Sequence, residues 1–216
     1  MVLDGLLRSQ FGKPSGLIGS LFLGPLMNVA NMRLIDAAID ALGPRTRDVL
    51  LDIGFGGGFS LFRLAEKATR GKVFGVDYSP DVVVDASERI RLKRLDSRIR
   101  VECANVAKLP FPAGMFDRIL TVNSIYYWPH IVASLRETAR VLKPGGRISV
   151  GFRSRACLAP YTEGWEKFAL YEPAEFARMM RRAGFKVLRA EQRDEWPLLD
   201  QVLIVGERPA ERPEAF

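Results

Sequence analysis

The sequence predicts an α/β fold in which a mostly parallel sheet is covered by helices on both faces. An apolar run, Val49-Leu50-Leu51-Asp52-Ile53, breaks into Gly54-Phe55-Gly56-Gly57-Gly58 and resumes as Phe59-Ser60-Leu61-Phe62-Arg63-Leu64-Ala65. That is the pattern of a buried strand, a tight glycine turn and a helix start. A second apolar run, Val73-Phe74-Gly75-Val76, ends at Asp77. From there apolar runs keep alternating with amphipathic segments, as parallel sheets with crossover helices require.

Strands are expected at 48–53, 72–77, 99–103, 116–122 and 146–152, and helices at 59–69, 80–95 and 131–142. Ser79-Pro80 is a helix start, with Ser79 as cap and Pro80 in the first turn. Helix 173–183 and strands 185–192 and 200–207 complete the pattern. Ahead of the first strand, Met27, Ala30, Leu34, Ala38 and Leu42 follow helical spacing, which predicts a helix laid over the ligand cleft. The apolar run from Leu17 to Ala30 contains Gly19, Gly24 and Pro25 and is short for a membrane span. It reads as an amphipathic cap rather than a secretory leader, although Arg8 and Lys13 precede it.

The glycine turn narrows the ligand. Glycines let the backbone turn sharply and let a ligand approach closer than a Cβ permits. Aligned on Gly54 and Gly56, the dinucleotide fingerprint places its third glycine at Phe59, and no Gly-Lys-Ser/Thr follows to make a phosphate loop. Asp77, after the second strand, is placed to accept from two ribose hydroxyls. A nucleoside cofactor without phosphates, S-adenosylmethionine, meets both conditions.

On these residues the chain resembles the class I S-adenosylmethionine-dependent methyltransferases, and most closely the small-molecule enzymes related to the quinone-biosynthesis group. The resemblance continues through Val101-Glu102-Cys103-Ala104-Asn105-Val106-Ala107-Lys108-Leu109-Pro110-Phe111, Phe116-Asp117-Arg118-Ile119-Leu120-Thr121-Val122-Asn123 and Arg140-Val141-Leu142-Lys143-Pro144-Gly145-Gly146-Arg147, covering roughly residues 48–152. It implies a Rossmann-like seven-stranded sheet, mostly parallel, with an antiparallel last strand. It implies cofactor contacts from Asp52, Gly54, Phe55, Gly56, Asp77, Tyr78, Asn105, Val106 and Asn123. Position 105 is Asn where the family usually has Asp, exchanging an obligate acceptor for a group that also donates. Gly57 and Gly58 stand where relatives carry bulkier residues, which predicts a looser unbound loop.

At 216 residues with 48% hydrophobic content, the chain is expected to form one domain. Within it, 1–47 is a helical N-terminal cap, 48–152 the cofactor-binding core, and 153–216 a substrate-covering segment with a closing hairpin. The two cysteines, Cys103 and Cys157, and the single histidine form no metal-ligand spacing, which predicts a metal-free protein of the reducing cytoplasm. The formal charge of +7 gathers at Arg89, Arg91, Lys93, Arg94, Arg98 and Arg100, and again at Arg178, Arg181, Arg182 and Lys186. Without interleaved aromatics these runs read as solvated helix faces rather than a nucleic-acid surface.

Methyl transfer from a sulfonium is largely a matter of positioning, and a base is needed only when the acceptor must lose a proton. His130, after Tyr126-Tyr127-Trp128-Pro129, is either that base or the exposed start of the next helix. Tyr127 faces the cleft, alone or with Tyr126 and Trp128. Tyr161, Trp165 and Phe168 either cover the acceptor or pack in the core. The acceptor is expected to be a small organic molecule, hydrophobic or aromatic, methylated at O, N or C. An RNA methyltransferase and a non-methylating S-adenosylmethionine-binding protein are the alternatives.

Overall fold

Alternation along the strands sends apolar side chains to two faces. In β1 (Val49–Ile53), Leu50 enters one core and Leu51 and Ile53 the other. In β4 (Phe116–Val122), Leu120 and Ile119 divide in the same way. A sheet apolar on both faces must be covered twice. The first face is covered by α1 (Gly24–Leu42), α2 (Phe59–Lys67) and α3 (Pro80–Leu92), which contribute Leu34, Ile39, Leu61, Leu64 and Ile90. The second is covered by α4 (Ile131–Val141) and, beyond the short turn α5 (Arg155–Leu158), by α6 (Pro173–Arg182), with Leu135, Phe176 and Met180 at its centre. This is a computed structural model; it describes residues 24–162, 168–193 and 200–210, with side chains of the first helix described from Asn31 onward. Gln10–Gly16, the apolar run up to residue 23, the side chain of Tyr161, Trp165 and the tail beyond 210 lie outside the described residues.

The strands, completed by β2 (Lys72–Asp77), β3 (Ile99–Cys103), β5 (Leu142–Phe152), β6 (Lys186–Arg193) and β7 (Gln201–Glu207), form one seven-stranded sheet in the order β3-β2-β1-β4-β5-β7-β6. Pairs among β1 to β5 are parallel, and β7 runs antiparallel between β5 and β6. The expected antiparallel last strand is therefore present. Strand order reverses between β1 and β4, and a crevice opens at such a switch point beyond the carboxyl ends of the strands. Among the described residues no helix is long and apolar enough to cross a membrane.

Local chemistry sets the boundaries. Ser79 caps α3 as expected, its hydroxyl accepting from the Val82 N–H at 3.4 Å with Pro80 in the first turn. Two expectations are corrected. The fifth strand begins at Leu142, not at 146, because Leu142 pairs with Phe116 and the glycines form a bulge inside the strand. Arg208 stitches that bulge to the closing hairpin: the Gly145 N–H donates to its carbonyl and its own N–H donates to Gly146. The described part of α1 does not lie over the cleft. Its described side chains pack on the sheet, with Leu34 against Gly151 of β5, and Asn31 accepts from Nδ2 of Asn123 in the cleft wall at 3.1 Å. Leu34, Ala38 and Leu42 are buried apolar residues, so the periodicity expresses sheet contact rather than a lid.

Asp52 is the polar exception in β1. Its side chain is 1% exposed, and Oδ2 has no hydrogen-bond partner among the described residues. Burial pushes its carboxyl up to about 7, against a smaller lowering by the Ser60 hydroxyl and with a further rise from the Asp77 carboxylate. The folded state thus holds this proton more tightly than the unfolded chain. The associated stability is fully present below the ordinary value of 3.8 and is lost as pH rises through about 7. Asp52→Asn removes that dependence. Denaturant unfolding from about pH 4 to about pH 8 will give a flatter stability profile for the variant, which becomes the more stable protein above about pH 7 by on the order of 1–4 kcal/mol. Parallel profiles for the two proteins would rule the assignment out.

Candidate active site

The glycine turn closes on the end of β4. Gly54 has φ +74°, and a Cβ there would stand 2.3 Å from that of Ser124, so this close approach admits only glycine. Its N–H donates to the Val76 carbonyl at 2.7 Å. Gly56, at φ +49°, has nothing within 4 Å of where a Cβ would sit, leaving its backbone open toward the cleft. Its N–H donates to Asp77 Oδ2 at 3.0 Å, while Ser79 N–H donates to Oδ1 at 3.1 Å. Each oxygen of Asp77 therefore keeps lone-pair capacity for a further donor. Gly58 takes φ +76° as the N-cap of α2, a left-handed conformation that favours glycine.

A cleft of about 640 Å³ lies above this turn. Of the residues expected to meet the cofactor, it brings together Gly54, Gly56, Asp77, Tyr78, Asn105, Val106 and Asn123. Asp52 and Phe55 are not in its lining. Asp52 is buried behind the turn, and Phe55 is 5% exposed, its ring packed against Gly75 in the core under α2. Asn105 uses Oδ1 to accept from the Ala107 N–H at 2.9 Å. That acceptor role is one a carboxylate would fill equally, so the exchange from Asp keeps the turn and leaves the amide Nδ2 as a donor.

Sequence reasoning missed several lining residues. Ile53, Val76, Val82 and Ala104 give the cleft apolar walls beside the glycine turn, and Ser124 and Pro129 line the side toward β4. Val82 was findable, since it lies three residues beyond the Ser79 cap in the first turn of α3. Ser124 gives no comparable signal, because its place depends on a residue seventy positions away.

The far end of the cleft is aromatic. Tyr127 is 64% exposed and lines it, as does Trp128. Trp128 is buried and donates from Nε1 to Ser124 Oγ at 3.1 Å. Tyr126 faces inward, its hydroxyl accepting from the Arg153 N–H at 2.7 Å. Phe168 stacks on Tyr126 with centroids 4.8 Å apart and meets Tyr127 edge-on at 5.1 Å. Burial pushes the Tyr127 phenol up, so near neutral pH it is a donor rather than a base.

His130 lies outside the cleft lining. It is exposed at φ +43°, and its carbonyl, not its imidazole, starts α4 by accepting from Ala133 and Ser134. The basic runs stay outside as well. Arg98 donates to the Ala65 and Ala68 carbonyls at the end of α2, Arg89 donates to Gly57, and Lys93 lies over the Phe62 ring.

Residues 50–146 match the methyltransferase domain family. The chain is 36% identical over 122 residues to 27-O-demethylrifamycin SV methyltransferase of Amycolatopsis mediterranei, covering 56% of this chain and 44% of that protein. It is 32% identical over 159 residues to the ubiquinone/menaquinone biosynthesis C-methyltransferase UbiE of Agrobacterium fabrum, covering 68% of this chain and 61% of that one. The match therefore spans less than two thirds of either relative. The fold is similar to that of geranyl diphosphate C-methyltransferase from Streptomyces coelicolor A3(2), solved with S-adenosyl-L-homocysteine among its ligands. The TM-score is 0.72 at 19% identity, over 82% of this chain and 76% of that one. With the glycine turn, the acidic end of β2 and the strand order all in place, residues 50–146 of this chain carry a methyltransferase domain.

Proposed function

We propose that this chain binds S-adenosylmethionine at the carboxyl edge of the sheet and transfers its methyl group to a small, apolar or aromatic acceptor. The observation that carries the reading is one cleft with two chemically different ends. Asp77 and the open backbone of Gly56 stand at one end, and Tyr127 and Trp128 at the other. The residues fit the cofactor: Asp77 has acceptor capacity for ribose hydroxyls, Asn105 and Val106 stand where an adenine edge would be met, and Ile53, Val76 and Val82 offer apolar contact. S-adenosylmethionine, when bound, supplies a methyl group on a sulfonium with a neutral leaving group. The protein's part is then to position and to exclude water. Tyr127 orients the acceptor as a wall and a hydrogen-bond donor, and buried Trp128 closes the floor beside Ser124. Neither basic run reaches this cleft, which favours a small molecule over RNA. Neither Cys103 nor Cys157 is in a disulfide, in keeping with a cytoplasmic location.

Two results test this reading. Asp77→Ala will weaken S-adenosylhomocysteine binding by ~1.5–3 kcal/mol, the range for hydrogen bonds to a charged group, with an unchanged far-ultraviolet spectrum. Calorimetry finding parental affinity would remove Asp77 from the ribose site. On the acceptor side, labelled S-adenosylmethionine incubated with a metabolite extract will give a labelled small-molecule product. Tyr127→Ala will reduce its formation by ~10–100-fold, the equivalent of losing a buried aromatic contact, at near-parental S-adenosylhomocysteine affinity. His130→Ala will leave product formation essentially unchanged; a loss comparable to that of Tyr127→Ala would restore the histidine as a base.

A further inference from the structure

The cofactor cleft takes the carboxyl edge of the sheet. A second, smaller cavity of about 170 Å³ lies at the opposite edge, where β1, β4 and β5 begin. We propose that this recess binds a phosphate group, held by the guanidinium groups of Arg118 and Arg45. Arg118 stands near the start of β4 with its side chain only 9% exposed, and its Nε donates to Asp48 Oδ2 at 2.8 Å. Its two Nη amines have no hydrogen-bond partner among the described residues, and the residue lines the recess. Those Nη donors are not sealed from solvent, so they open on to the recess, where an anion's oxygens can take the place of water.

The carboxylates lining the recess are already committed. Asp48 Oδ2 also accepts from the Arg45 N–H at 2.8 Å, and Asp117 accepts from the Val49 N–H at 2.8 Å and from Lys143 Nζ at 2.6 Å. Arg147 is answered from outside the recess by Glu207 at 3.3 Å. Every lining cation is thus matched to a carboxylate except Arg45, whose guanidinium has no partner among the described residues. The recess therefore combines one uncompensated positive charge, open Nη donors and a polar cavity with room for a phosphate and a few waters at ~30 Å³ each. Guanidinium forks match phosphate geometry and hold it through charge-assisted hydrogen bonds.

The site lies at the opposite edge of the sheet from the cofactor cleft and is tested independently of it. Titration of the full chain with inorganic phosphate at constant ionic strength, followed by calorimetry and thermal unfolding, will give saturable binding and a raised midpoint. Chloride and acetate will not reproduce it. Arg45→Ala, at an exposed loop position, will weaken phosphate binding by ~10-fold or more, and Arg118→Lys, which keeps the charge facing Asp48 but loses the fork, will do the same. A phosphate response no larger than that of chloride or acetate, or one left intact in Arg45→Ala, would overturn the proposal.

Discussion

The site depends on how the chain satisfies the carbonyl of Ile53, the last residue of β1. Thr121 Oγ1 and Ser124 Oγ lie 2.9 Å and 3.1 Å from that oxygen and 2.6 Å from each other. Trp128 Nε1 donates to the same Ser124 hydroxyl. This small polar knot ties the glycine turn to the aromatic segment of the cleft, across the switch point between β1 and β4. It works only because Gly54 brings no side chain into the space Ser124 fills. Both ends of the cleft are thereby referred to one point on the rigid sheet, which the proposed in-line transfer between two bound molecules requires.

Two carboxylates serve this arrangement from different surroundings. Asp77, at the rim, receives the N–H groups of Gly56 and Ser79 and so joins the glycine turn to the first turn of α3. Asp52, behind the turn and without access to water, has its carboxyl raised, and the charge on Asp77 adds to that rise. Were both ionised, their repulsion in a poorly screened environment would act on the loop between them. Burying one and hydrogen-bonding the other resolves the conflict, with no basic side chain paired to Asp52 among the described residues.

Local patterns were legible in the sequence, and long-range contacts were not. The strand, glycine turn and helix at 49–67, the Ser79 cap and the acidic end of β2 are written in consecutive residues, and the structure repeats them. Reading Asp52 and Phe55 as parts of the cleft followed from their neighbours in the turn. Their burial is decided instead by the side-chain alternation of β1 and by space left over Gly75. Nothing local carries the expected strand 146–152 back through Gly145 to Leu142, because the partner of that bulge, Arg208, is far away in the chain. Helical spacing in α1 identified an apolar face correctly but not the surface it covers, since periodicity states that a face is buried and not against what. The recess of Arg45 and Arg118 had no signature, being assembled from the starts of three strands.

The aromatic end of the cleft is built by a different logic from the end at the glycine turn. Phe168 reaches it from beyond β5, and its segment is attached to the β4 side by the Ala169 N–H donating to the Tyr126 carbonyl at 2.9 Å. Tyr126, fixed beneath by the Arg153 N–H, acts as the pillar on which Phe168 stacks and from which Tyr127 projects. Because the pillar takes its position from the sheet and the exposed ring does not, substitutions at Tyr127 can reshape the acceptor wall without disturbing Ile53, Ser124 or the glycine turn. Substitutions at Tyr126 lack that freedom. Losing its hydroxyl would leave the buried Arg153 N–H without its acceptor and loosen the stack above it, so changes there reach stability before they reach specificity.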